Sequence, residues 1–184
     1  MPLPPEYPSE CERTACTRDG LDYRIRPIRP DDFEREREFV VGLSEESRFN
    51  RLMYTVSGPN DAFLRQLVNI DYRQHMALVA VRDFEGGEKF IGVARYVTVS
   101  DRARHEFAVA VTDEWQGKGI GTELLIDLFL HARRHGLKRL YGTVLPANSR
   151  MLSLARRLGL EIQTSADDAT LVIVSKRLDA GAAG

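Results

Sequence analysis

A layered α/β (α+β) fold, one mixed sheet covered by helices, is predicted for this 184-residue chain by three observations. Between 76 and 111, runs of apolar, β-branched and small residues recur, with a turn at Glu85-Gly86-Gly87-Glu88 between the first two. Apolar residues at helical spacing occur before that block, at 33–40 and 61–68, and again after it, at 120–132. The order that results is helices early, an antiparallel meander, then β-α-β-α-β-β. No internal repeat or interdomain linker interrupts it, and a chain of this length fits one domain with a substantial core.

Taken in order, residues 1–20 carry four prolines and mixed charge and are expected to form a flexible lead-in. The folded domain is expected to run from 21 to 178, with 179–184 as a tail. A short strand is predicted over 23–28. Pro30-Asp31-Asp32 then starts a helix, with an Asp cap ahead of Phe33, Phe39 and Val40. The alternating run Glu34-Arg35-Glu36-Arg37-Glu38 reads as a solvated helix face. Ser44 and Ser47 begin a further short helix carrying Phe49, Leu52 and Met53, and after Ser57-Gly58-Pro59-Asn60 another spans 61–68. The continuous apolar run 76–81 suits a central strand. A long strand follows at 90–99, with Gly92 marking a bulge, and a third at 106–111. Beyond the helix that ends at Gly136, a strand at 139–144, a helix at 148–158 capped by Asn148 or Ser149, and a strand pair at 160–163 and 171–174 complete the chain.

Chemistry concentrates between His105 and Leu130. An apolar strand breaks at Thr112-Asp113-Glu114, enters the turn Gln116-Gly117-Lys118-Gly119-Ile120-Gly121, and leaves as a helix with Leu124, Leu125, Leu128 and Phe129 on one face. The first amides of a helix lack partners within it, the dipole there favours an anion, and glycines let a phosphate approach the backbone. Lys118 adds a positive charge. A P-loop is excluded, because Lys118 is followed by Gly119 instead of Ser or Thr. The evenly spaced Gly117, Gly119 and Gly121 do not match the dinucleotide G-x-G-x-x-G spacing.

The pattern Gln116-x-x-Gly119-x-Gly121 after an apolar strand resembles the acetyl-CoA signature of the GNAT superfamily of N-acetyltransferases. That resemblance implies a mostly antiparallel central sheet whose two central strands splay, with the pantetheine arm of acetyl-CoA lying in the gap. It implies that the amides of Gln116, Gly117, Lys118, Gly119, Ile120, Gly121 and Thr122 hold the diphosphate. It also implies that backbone groups of Val109, Ala110 and Val111 meet the pantetheine, that Val109 N–H stabilises an oxyanion, and that Asn148 and Met151 touch the cofactor. Acetyl transfer to an amine needs that amine neutral, so a general base is expected. Glu106, opening an otherwise apolar strand, is the favoured catalytic candidate, with neighbouring His105 as the alternative. Many members protonate the leaving thiolate with a Tyr seven residues after the Asn; here that position is Ala155, and Tyr141, Tyr96 and Tyr72 are unranked replacements.

Further stretches narrow the resemblance. Ile25-Arg26-Pro27-Ile28-Arg29-Pro30, Leu43-Ser44-Glu45-Glu46-Ser47-Arg48, Ile70-Asp71-Tyr72 and Arg156-Arg157-Leu158-Gly159-Leu160 look like the catalytic domain of Pat-type bacterial protein lysine acetyltransferases, which modify acyl-CoA synthetases. The implied acceptor is a protein lysine. A small-molecule amine, a protein N-terminus, or a non-catalytic CoA-binding or sensing module are the alternatives.

Bulk properties close off other classes. A formal net charge of −1 argues against nucleic acid as the main partner. No apolar stretch is long enough for a membrane span, and the N-terminus lacks a secretory pattern. Cys11 and Cys16 do not form a Cys-x-x-Cys pair, and the four histidines show no ligand spacing. Reduced thiols, no metal and a cytoplasmic setting are expected.

Overall fold

The computed structural model describes residues 3–44, 47, 60–99 and 104–179. Its strands are β1 (Arg13–Cys16), β2 (Asp22–Pro27), β3 (His75–Phe84), β4 (Gly87–Val99), β5 (Arg104–Val111), β6 (Arg139–Val144), β7 (Glu161–Thr164) and β8 (Val172–Arg177). The helices are α1 (Phe33–Gly42), α2 (Asp61–Val68), α3 (Ile120–Arg134) and α4 (Ser149–Arg157). All eight strands form one sheet in the order β1-β2-β3-β4-β5-β6-β8-β7. Neighbours are antiparallel except β5 and β6, which run parallel and share a single paired position, Glu106 opposite Tyr141. The mixed, mostly antiparallel sheet and its splayed central pair are as the sequence predicts.

The continuous apolar run of β3 has a simple cause: both of its faces are covered. Met76, Leu78 and Ala80 join Tyr96, Phe107 and the buried side of α3, formed by Leu124, Leu125 and Leu128. Ala77, Val79 and Val81 face Phe39 and Val40 of α1 and Leu64 and Val68 of α2. The bulge expected at Gly92 lies beside it, where the β3–β4 register moves from Ala80–Gly92 to Val81–Phe90 and leaves Ile91 over. Gly92 has a second role. A Cβ there would stand 3.1 Å from Ile120 Cγ2 and from Leu124 Cδ1, so the glycine lets α3 sit close on the sheet.

Three expectations need correction. The lead-in expected to be flexible contains β1, paired with β2 over four residues. Its prolines start turns that carry chain (Pro4 O accepts from Tyr7 N–H and Pro8 O from Cys11 N–H), and Tyr7 is buried edge-on to Tyr72. Asp32 does stand at the start of α1, but its carboxylate caps no helix amide. It accepts from Arg26 at 2.7 and 2.8 Å, from Arg35 at 3.0 Å and from Arg29 N–H at 2.8 Å. Glu36, read as solvated, is 0% exposed and receives Arg95 Nη2 at 2.8 Å. Alternating charges on a helix necessarily send some inward once both faces of a sheet are covered, and here the inward one is paired. The helix expected to carry Phe49, Leu52 and Met53 lies outside the described residues. Among the described residues no helix is long and apolar enough to cross a membrane.

Candidate active site

Strand β5 positions the site. Thr112 N–H bonds Ile91 O of β4 at 3.0 Å, and the antiparallel register then alternates residue by residue. Ala110 and Ala108 turn their backbone groups to β4, while Val111, Val109 and Phe107 turn theirs towards β6. Since β6 meets β5 only at Glu106–Tyr141, the backbone groups of Val109 and Val111 open into the splay. Gln116 Nε2 takes one of them, donating to Val111 O at 3.0 Å. Glu106 is half-buried just before the strands part, and its side chain lies on the Ala108 and Ala110 face.

A 3-10 turn, Asp113–Trp115, carries the chain from β5 to the glycine loop. Gly117 and Gly119 have φ of 77° and 97°, conformations open to glycine. Gly121 is not of this kind; it packs near Leu154 and Val111. The first helical donor of α3 is Thr122 N–H, bonded to Gly119 O at 3.0 Å. Among the described residues the amides of Gly117, Lys118, Gly119, Ile120 and Gly121 donate to no protein acceptor. Five unpaired N–H groups at the positive end of a fifteen-residue helix fit a diphosphate.

The splay and the loop open into one cleft of ≈ 1070 Å³. That is at the upper end of the roughly 300–1,000 Å³ usual for small-ligand sites, and suits a long ligand. Of the predicted residues, Glu106, Val109, Ala110, Val111, Gln116, Gly117, Gly119, Ile120, Gly121, Thr122, Asn148 and Met151 all line it. Asn148 also caps α4, its Oδ1 accepting from Met151 N–H at 3.0 Å. Lys118 does not line the cleft. Its ammonium pairs with Asp19 and holds that carboxyl down at about 2. His105 points away from the cleft, bonded through Nδ1 to Thr98 Oγ1 at 2.9 Å, and burial pushes its pKa down.

The sequence reading missed four arginines that line the cleft: Arg18, Arg95, Arg150 and Arg157, of which Arg95 is also bonded to Glu36. Arg150 and Arg157 lie seven apart, on one face of α4, a periodicity visible in the sequence. Arg150 bonds Gln116 Oε1, tying α4 to the loop. Arg18 had no such signal, because its segment was expected to be unfolded. Ala155 is fully buried, and no tyrosine lines the cleft among the described residues. Tyr96 OH donates to Arg73 O and neighbours His131, Tyr72 OH donates to Ile28 O, and Tyr141 lies under Arg104. Also among the described residues, no group of three or more side chains is arranged to hold a metal.

Comparisons with known proteins agree with this geometry. The model of the acetyltransferase (GNAT) family matches residues 37–160. The chain is 37% identical to an acetyltransferase of Pseudomonas aeruginosa over 84% of its own length and 83% of that protein's. It is 34% identical to Acetyltransferase Pat of Mycolicibacterium smegmatis over 77% of its own length, but spans only 42% of that longer protein. Among solved structures, the GNAT domain of S. lividans PAT superposes with a TM-score of 0.84 at 28% identity, covering 94% of this chain and 99% of that domain.

Proposed function

The chain belongs to the GNAT acetyltransferase family, and from that premise we propose that it moves an acetyl group from acetyl-CoA to a protein lysine, with Glu106 as general base. One observation carries the reading: a single cleft joins the unpaired amides of Gly117, Gly119, Ile120 and Gly121, the open backbone of β5 and the Glu106 carboxylate. The similarity to Pat and to the S. lividans PAT domain supports the acceptor class. So does the mouth of the cleft, where Val97, paired opposite Glu106 and 40% exposed, offers an apolar wall to the aliphatic stem of a lysine.

In this mechanism acetyl-CoA supplies an acyl group already activated as a thioester. The amides of Gly117, Gly119, Ile120 and Gly121 fix the diphosphate, and backbone groups of Val109 and Val111 align the pantetheine arm. Glu106 takes the proton from the attacking ammonium or amine, and Val109 N–H donates to the carbonyl oxygen as charge builds on it. A C–N bond forms and the C–S bond breaks. A thiol of pKa near 8.5 leaves more readily than an amine near 10.4, so expulsion of the thiolate needs no tyrosine acid, consistent with Ala155.

Labelled acetyl-CoA offered to a purified acyl-CoA synthetase, to lysine peptides, to free amines and to peptides with a free N-terminus tests the acceptor. Label on a synthetase lysine is expected. Transfer confined to free amines or N-termini would replace that acceptor class. Glu106→Gln should lower kcat by about 10²–10⁴ while leaving acetyl-CoA affinity intact, and an unchanged rate would remove Glu106 as the base.

A further inference from the structure

The hairpin formed by β1 and β2 lies N-terminal to the stretch matched by the family model, yet it is fastened to the beginning of α3. Arg13 of β1 bonds Glu123 and Asp127 on successive turns of α3, each at 2.7 Å. At the tip, Thr17 closes the turn: its N–H donates to Leu21 O at 2.9 Å, its Oγ1 receives Leu21 N–H at 2.9 Å, and its carbonyl receives Gly20 N–H. This turn is docked on the glycine loop. Arg18 N–H donates to Lys118 O at 3.1 Å, and Asp19 holds the Lys118 ammonium. The Arg18 side chain then crosses the loop. Its Cγ and Nε lie 3.6 and 3.7 Å from where a Cβ on Gly119 would be, and the residue lines the cleft.

These contacts have a consistent electrostatic sense. Lys118, the cation belonging to the loop itself, is neutralised outside the cleft by Asp19. Arg18, from the same turn, is delivered across the loop and has no carboxylate partner among the described residues. Removing one positive charge from a phosphate site and supplying another makes sense where a fork of five donors is better than a point charge, since guanidinium matches phosphate oxygens in pairs.

We infer that Arg18 binds a phosphoryl group of the cofactor, and that the N-terminal hairpin completes the cofactor site as a positioning element for the glycine loop. This rests on the acetyl-CoA reading above. Two phosphoryl sources are within the chemistry, the diphosphate and the 3′-phosphate of the ribose, and both are anions beside an exposed guanidinium.

Calorimetric titration of the full chain with CoA and with 3′-dephospho-CoA tests the assignment without relying on turnover. Arg18→Gln keeps the side-chain stem over Gly119 and removes the charge. It should weaken CoA binding about tenfold, flatten the salt dependence of the dissociation constant, and leave the thermal midpoint close to wild type. Arg18→Lys should recover part of the loss. If the loss persists with dephospho-CoA the contact is to the diphosphate, and if it vanishes the contact is to the 3′-phosphate. Arg133→Ala, an equal charge change at the far end of α3, should leave both affinities unchanged. Wild-type affinity in a folded Arg18→Gln variant, or an equal loss in Arg133→Ala, overturns the inference. Failure of the wild-type chain to bind CoA overturns instead the reading on which it rests.

Discussion

Gly119 is the position where the proposed cradle is most exposed to a single change, and the structure separates two costs there. Its φ of 97° and ψ of −12° lie in the left-handed region. Any side chain therefore strains the backbone by about 1–2 kcal/mol, or about 2–8 °C in Tm for a domain of this size. Steric crowding adds little, because a Cβ would lie 3.6 Å from the nearest atom, in the flexible Arg18 side chain. Gly119→Ala should show the strain alone. Gly119→Glu adds a carboxylate at the mouth of the cradle, about 4 Å from a bound phosphate, which at an effective dielectric of about 20 costs roughly 4 kcal/mol, or about 10³-fold in affinity. Gly136, with φ of 79° at the other end of α3 and open space around it, supplies the control. Gly136→Ala should cost similar stability and no affinity. Differential scanning calorimetry with titration of acetyl-CoA reads both quantities. A folded Gly119→Glu variant that binds acetyl-CoA as tightly as Gly119→Ala would refute the placement of the diphosphate in this loop.

Three other outcomes follow from the packing. Gly142→Ala would bring a Cβ to 3.0 Å from Phe107 Cζ and 3.1 Å from Val174 Cγ2, and should lower stability by about 1–3 kcal/mol while weakening acetyl-CoA binding; unchanged Tm and affinity would show the strands freer to part than they look. Glu36→Ala strips the buried Arg95 of a bonded carboxylate and should cost about 3–5 kcal/mol in urea unfolding, with a loss below about 1 kcal/mol counting against a buried pair. His75 and His131 are each pushed down to about 4, both by burial first, then by Arg95 for His75, and by His135 and Arg134 for His131. Because these folded values lie below the unfolded value near 6.5, the unfolded chain takes up protons first. The stability they contribute is complete above about pH 6.5 and falls as the pH drops towards 4. Tm measured from pH 7.5 to 4.5 should decline, and less steeply in His131→Gln; parallel declines would exclude His131.

Elements with local periodicity were readable from residues alone. The 61–68 helix and the 139–144 strand fall where apolar spacing and their flanking residues predict them, and Asn60 caps the former by accepting Phe63 N–H. The loop between β5 and α3 was readable because glycine spacing is a direct report of backbone conformation. What could not be read were partnerships between distant segments. Nothing in Glu34-Arg35-Glu36-Arg37-Glu38 distinguishes Glu36 until Arg95 is placed across from it on β4. Likewise the composition of residues 3–20 resembles a linker, and only pairing with β2 and the anchorage of Arg13 on α3 reveal a folded hairpin. The candidate site divided in the same way: the unpaired loop amides were legible from glycine spacing, whereas the pairing of Lys118 with Asp19 and the approach of Arg18 to Gly119 depend on a distant segment.

The opening in the sheet ties these observations together. Phe107 follows the last paired residue of β5, its ring buried at 5.4 Å from Phe129 in an edge-on contact. Gly142 of β6 lies directly over that ring, where a Cβ would collide, so the two strands stay together here only because one of them has no side chain. Past this point, with Val109 and Val111 facing the gap, β6 no longer follows. A sheet that loses a partner strand leaves donors and acceptors that an extended ligand can take up, as an added strand does. The carboxylate of Glu106 belongs to the last residue still held on both sides, while the open backbone begins three residues later. The Glu106 carboxylate, proposed as the base, and the free backbone donors thus come from one strand, and the geometry between them is set by the rise of that strand, not by a mobile loop.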